Sequence, residues 1–169
     1  MNYDYELLMI TVAVLTLSDK GSKGEREDTS GPLIGEMLKG IGARVKYYEV
    51  LPDEKKMIKE KLREYSLKAD LILTTGGTGL SPRDVTPDAT LEIIEREIPG
   101  IAEVMRAEGM KKTSRSMLSR AVAGTRGEAL IINLPGSPRA VKENLGAILD
   151  VIPHAIEKIK GDTKECAAP

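Results

Sequence analysis

The sequence predicts a three-layer α/β/α fold with a mostly parallel central sheet, and three observations carry that expectation. Short apolar, β-branched runs alternate with longer segments of helical period, the order expected of βαβ units. The runs Leu71-Ile72-Leu73-Thr74-Thr75 and Leu130-Ile131-Ile132-Asn133-Leu134 lack the polar alternation of half-buried strands, as strands covered by helices on both faces do. The strand ends run into glycine, proline or an acid just before the next helix begins, which gathers loops at one edge of the sheet.

Taken in order, Met9 to Thr16 is apolar and β-branched enough for a first buried strand, ending at Leu17-Ser18-Asp19. Lys20 to Glu27 is polar, with Gly21 and Gly24, and is expected to form a surface loop. Asp28-Thr29-Ser30-Gly31-Pro32 offers capping groups to a helix with an apolar face of Leu33, Ile34, Met37, Leu38 and Ile41; Gly40 and Gly42 end it. Ala43 to Leu51 supplies the second strand, and Pro52-Asp53 stops it before a charged helix from Glu54 to about Leu67, whose Lys and Glu residues mark a solvated face. The third strand is Leu71 to Thr75. Thr86-Pro87-Asp88 then starts a helix predicted to reach Glu97, with threonine as N-cap, proline first and an acid in the first turn. Pro99-Gly100 breaks it, a further helix covers Ile101 to Met110, and the polar stretch Lys111 to Ser119 belongs on the surface. Ala121 to Thr125 and Ala129 to Leu134, separated by Arg126-Gly127-Glu128, read as a strand pair or as one strand with a bend. The second ends at Pro135-Gly136-Ser137-Pro138, where Ser137 caps and Pro138 opens a last helix through Val141, Leu145, Ile148, Leu149 and Ile152, divided at Pro153. Residues 1–160 are expected to form a single domain and residues 161–169 a flexible tail.

Composition excludes several functions. The 26 acidic residues nearly cancel the 25 basic ones, which argues against a nucleic-acid partner. No apolar run approaches the roughly 20 residues that span a bilayer, so no membrane partner and a cytoplasmic location are expected. The single Cys166 can make no internal disulfide, and the single His154 rules out a His-rich metal site and disfavours a Ser-His-Asp triad. Chemistry then falls to carboxylates, hydroxyls and backbone amides.

Those groups collect where the strands end. Gly76, Gly77 and Gly79 allow amides to turn toward an anion and a phosphate to approach closely, while Arg83 adds positive charge and Asp84 a carboxylate. Ser18, Asp53 and the Pro135-Gly136-Ser137 turn fall on the same edge, as does Thr75 at the end of its strand. Two carboxylates beside an anion pocket suit Mg²⁺ shared with substrate phosphates, and the reaction class is phosphoryl or nucleotidyl transfer. A structural alternative stays open for each: Asp53 can cap a helix, Asp84 can pair with Arg83, and the glycines can be only a tight turn.

The segment TTGGTGLSPRDVTPDAT, Thr74 to Thr90, resembles the MogA/MoaB family of molybdenum cofactor biosynthesis, which includes the gephyrin N-terminal domain. The resemblance continues in LSD at 17–19, EDTSG at 27–31, LPDE at 51–54, MLSRAVAG at 117–124 and LIINLPGSPRAVKE at 130–143, and covers about Ile10 to Lys160. It implies a MogA-like fold and a molybdopterin adenylyltransferase, which transfers AMP from ATP to the molybdopterin phosphate with Mg²⁺ and releases pyrophosphate. A separate downstream protein would then insert molybdate or tungstate. Asp53 and Asp84 are implied as the essential acids and metal ligands. Substrate contacts are implied at Asp28, Ser30 and Gly31, at Gly76, Gly77, Thr78 and Gly79, and at Ser81, Ser119, Asn133, Pro135 and Gly136. The family also implies a homo-oligomer, trimer or hexamer. A non-catalytic molybdopterin-binding or scaffold protein of the MoaB type is the alternative.

Overall fold

The computed structural model describes residues 9–163. Four strands run parallel: β1 (Ile10–Leu17), β2 (Ala43–Leu51), β3 (Leu71–Thr75) and β6 (Ala129–Leu134). Two short strands, β4 (Arg96–Glu97) and β5 (Ala123–Arg126), add antiparallel pairing, giving one sheet in the order β2-β1-β3-β6-β5-β4. Lys46 is an extra residue in β2, where the pairing with β1 steps from Val12 opposite Val45 to Ala13 opposite Tyr47.

Strand alternation divides the core into two layers. Val12, Val14, Leu71, Leu73, Leu130 and Ile132 point to one face and are covered by α2 (Ser30–Leu38), α5 (Pro99–Met110), α6 (Pro138–Ile148) and α7 (Ile152–Ile159). Ala13, Leu15, Ile72 and Ile131 point to the other, beneath α3 (Lys55–Ser66) and α4 (Thr86–Leu91). The expected three-layer α/β/α arrangement is therefore present.

Three local expectations need correction. The stretch 20–27 begins with a one-turn helix, α1 (Asp19–Ser22), because the Ser18 hydroxyl caps the Gly21 amide. Pro99 opens α5 as its first residue instead of separating two helices. The helix predicted to reach Glu97 stops at Leu91: Glu95 and Ile98 donate their amides to the Thr125 and Ala123 carbonyls, so the segment is recruited as the edge strand β4. Sheet pairing there outcompetes a helical period that Leu91, Ile93, Ile94 and Ile98 could equally have served. The expected tail lies mostly outside the described residues, as does Cys166.

Candidate active site

β1 lies between β2 and β3, so the chain leaves it first toward one neighbour and later returns on its other side. The loops after β1 and β3 therefore diverge, and they leave a crevice at the carboxyl end of the sheet. A cavity of about 310 Å³ opens there, bordered by Ser18, Asp28, Ser30, Asp53, Thr75, Gly76, Gly77, Asp84, Gly136 and Ser137. A second cavity of about 270 Å³ is bordered by Thr78, Gly79, Ser119 and Pro135, together with Thr113, Arg115, Ser116 and Asn144. The two share a wall, since Gly77 and Thr78 are neighbours, as are Pro135 and Gly136.

The glycine turn can be built only from glycine. Gly76 has φ of 100°, and a Cβ there would sit 2.4 Å from the Leu17 carbonyl oxygen. Gly77 has φ of 66°, and its Cβ would lie 2.3 Å from Thr86 Oγ1 and 3.1 Å from Asp53 Oδ1. The absence of side chains thus lets the turn lie flat against Asp53. Thr86 fixes its far side, donating Oγ1–H to the Gly76 carbonyl at 2.9 Å.

Asp53 is braced by Asp19. The Asp19 amide donates to Asp53 Oδ2 at 3.0 Å, and the Asp53 amide donates to Asp19 Oδ1 at 2.9 Å, so each carboxylate holds the other's backbone across the ends of β1 and β2. Burial pushes the Asp53 carboxyl above the usual carboxylate range; the nearby charges of Asp19 and Asp84 push the same way, against the Asp19 amide and Arg83. Asp84 closes a turn, its Oδ2 accepting the Ser81 amide at 2.9 Å. Among the described residues, Asp53 Oδ1 and Asp84 Oδ1 accept no hydrogen bond. Each carboxylate therefore keeps one oxygen for a ligand, and hard anionic oxygens beside a pocket floored by glycine suit Mg²⁺ that completes its shell with substrate phosphate and water.

Arg83, expected at a phosphate, faces carboxylates. Its Nε and Nη2 donate to Asp19 at 3.0 and 2.8 Å, and Nη2 donates to Glu54 Oε1 at 3.1 Å. The Arg83 hydrogen bonds and the Asp53 amide hold the Asp19 carboxyl below its ordinary value. Arg83 thus clamps the first two loops together, and it borders neither cavity.

Asp28 is saturated by the protein itself. Thr16 Oγ1 donates to it at 2.6 Å, Tyr48 Oη donates to the same oxygen, and the Ser30 and Gly31 amides donate at 3.0 and 3.1 Å. Burial raises the Asp28 carboxyl, but these four donors outweigh it and hold it below the usual range. Burial and the Asp28 contact push the Tyr48 phenol up to about 12. Asp28 therefore caps α2 and shapes the cavity wall. Ser30 Oγ–H donates to the Gly136 carbonyl at 2.8 Å and Thr75 Oγ1–H to the Pro135 carbonyl at 2.7 Å, tying the turn after β6 to the other walls.

Asn133, implied as a substrate contact, lies in the core of this structure. It is fully buried, its Nδ2 donating to Thr74 and Thr90 hydroxyls at 3.0 and 2.9 Å and its Oδ1 accepting the Val122 amide. Ser81 and Gly31 likewise border neither cavity. Asp19 was visible in the LSD motif, but its brace to Asp53 depends on the register of β1 with β2, which local sequence does not carry.

The family model described as "Probable molybdopterin binding domain" matches residues 13–154. The chain belongs to this molybdopterin-binding family. Within it, the chain is 40% identical over 157 residues to a "Molybdopterin adenylyltransferase" of Helicobacter pylori, covering 90% of this chain and 89% of that protein. It is 42% identical over 156 residues to the "Molybdenum cofactor synthesis protein cinnamon" of Drosophila melanogaster, covering 90% of this chain and 26% of that longer protein. Among solved members of the family, the molybdopterin biosynthesis enzyme MoaB of Thermus thermophilus shares 52% identity at a TM-score of 0.86, over 91% of this chain and 98% of that one.

Proposed function

We propose that this chain is a molybdopterin adenylyltransferase acting in molybdenum or tungsten cofactor biosynthesis, with ATP and molybdopterin as substrates and Mg²⁺ as the metal. The observation that carries the reading is the pair of carboxylates, Asp53 and Asp84, each with an unengaged oxygen beside the glycine-floored cavity. ATP fits the larger cavity, where the Gly77 amide, which donates to no protein group among the described residues, is open to phosphates and Ser18 and Ser137 offer hydroxyl protons. Molybdopterin fits the second cavity, so that its phosphate reaches the ATP α-phosphorus over the shared wall.

A molybdopterin phosphate oxygen attacks the α-phosphorus, a P–O–P bond forms, and the α–β P–O bond breaks with its electron pair leaving on pyrophosphate. Mg²⁺ held by Asp53 and Asp84 would neutralise charge accumulating on the transferred phosphate. Asp19 keeps Asp53 facing the cavity, and Arg83 keeps Asp19 in place. The chain's contribution is position and charge; no covalent enzyme intermediate is required.

Among the described residues no helix is long and apolar enough to cross a membrane. The reading extends to a cytoplasmic protein, a homo-oligomer of trimeric or hexameric form, and a downstream partner that inserts molybdate or tungstate. The test is to incubate purified protein with molybdopterin, ATP and Mg²⁺ and to quantify products. Adenylylated molybdopterin and pyrophosphate in equal amounts are expected; tight molybdopterin binding without either product would make this a carrier or scaffold.

A further inference from the structure

Arg120 lies between the turn at Ser114–Leu118 and β5, and it borders neither cavity. Its guanidinium nevertheless grips the loop between β3 and α4 from behind. Nε donates to the Gly79 carbonyl at 2.9 Å, Nη2 donates to the Asp84 carbonyl, and Nη1 donates to both oxygens of Asp88 at 3.2 and 3.1 Å. The Arg120 amide adds a bond to the Thr78 carbonyl at 2.9 Å. One side chain thus joins the glycine turn, the residue Asp84 and the first turn of α4.

Beyond Arg120, the loop is tied at its start through Gly76 and Gly77 and at its tip by Arg83 alone. Leu80 is 63% exposed, and Ser81, Pro82 and Arg83 are exposed as well, so the tip of the loop has no apolar anchor before Val85 packs against the core. The backbone of the Ser81–Asp84 turn closes only on itself, with the Asp84 amide to the Ser81 carbonyl and the Ser81 amide to Asp84 Oδ2, and its tie outward is the exposed Arg83 side chain on Asp19 and Glu54. Among the described residues no backbone amide donates to the Gly79 or Asp84 carbonyl. A weakly packed loop held by few hydrogen bonds opens readily unless those bonds persist. Three acceptors in three directions match a planar fork of donors, whereas a lysine ammonium would be a single point charge on a flexible stem.

We propose that Arg120 is a positioning residue that holds Asp84 toward Asp53 through the loop backbone, with Asp88 orienting its guanidinium. The inference rests on the adenylyl-transfer reading for its kinetic consequence, but the loop-holding itself does not. The experiment therefore pairs kinetics with hydrogen exchange on Arg120→Lys, Arg120→Gln and Asp88→Asn in the full chain. In both Arg120 variants, the Ser81, Arg83 and Asp84 amides, each hydrogen-bonded within the turn, should exchange at least about tenfold faster, while β3 amides stay protected. Transfer should lose about 30- to 100-fold in kcat, with KM for ATP within about threefold, as expected when a reacting group is misplaced and ground-state binding survives. Asp88→Asn should show the same pattern more weakly.

A folded Arg120→Lys with normal kcat and normal loop exchange would overturn the proposal. So would a normal Arg120→Lys beside an Arg120→Gln changed only in KM, since charge alone would then be the role. If both Arg120 variants fail to fold, an Asp88→Asn protein unchanged in both readouts overturns it. A wild type without transfer activity would refute the functional reading, and loop exchange would still decide whether Arg120 holds the loop.

Discussion

Asp53 works against the stability of the fold that presents it. Its carboxyl is raised by burial and by the charges of Asp19 and Asp84, so the folded chain binds that proton more readily than the unfolded chain does. The ionised form therefore costs stability above the raised pKa. Asp53→Asn keeps an oxygen for the Asp19 amide and removes the charge; it should lose transfer and raise the thermal midpoint at pH 7 by a degree or two, in the sense of about 1–2 °C. The gain should fade as pH falls through the raised pKa of Asp53 and vanish below the ordinary carboxylate value of about 3.9, where the wild-type group is neutral too. Thermal melts across pH check this. Asp28 has the opposite sign. Its depressed pKa contributes stability above the ordinary value that is lost as pH falls through the folded one. Asp28→Ala orphans the Thr16 and Tyr48 hydroxyls and two amides at the start of α2, and should cost about 1–3 kcal/mol in denaturant melts. Asp53 and Asp84 could be picked out from sequence because each follows a strand or a glycine turn. The direction of Arg83 could not, because Asp19 and Glu54, which draw it away from the cavity, come from other loops.

At the scale of elements, the strand-to-helix turn after β3 is the part whose geometry tolerates least. Gly77→Ala combines a left-handed backbone with a contact of 2.3 Å to Thr86 Oγ1, and should cost about 2–4 kcal/mol and abolish transfer. Chemical denaturation and an activity assay on the same preparation check both effects. Asn133 separates core from site. Asn133→Leu leaves the Val122 amide and the Thr74 and Thr90 hydroxyls without their partner, so it should destabilise by about 2–4 kcal/mol while KM for ATP in the remaining folded protein stays near wild type. A large KM effect without loss of stability would return Asn133 to the substrate surface. The buried strands and most helix faces were legible because apolar period and burial coincide at residues such as Leu71–Leu73 and Ile58, Leu62 and Tyr65. The end of α4 was not, because its competitor, β5, lies some distance further along the chain and local sequence carries no trace of that pairing.

At the scale of the whole molecule, sheet order turns separate loops into a site. Strand and helix alternation placed the loops on one edge, but only the order β2-β1-β3-β6-β5-β4 puts the loops after β1 and β3 on either side of a crevice. Hydroxyls at Ser30 and Thr75 then fasten the turn after β6 to that crevice, so three chain segments far apart in sequence share one wall. The metal-holding role proposed for Asp53 and Asp84 makes them necessary for moving AMP and dispensable for folding. Its most direct measurement is the single-turnover rate of AMP transfer to molybdopterin at saturating ATP and Mg²⁺, for wild type, Asp53→Asn and Asp84→Asn. That role predicts transfer by the wild type and a loss of at least about a hundredfold in each variant, with both variants folded. A wild-type rate in either variant would contradict it.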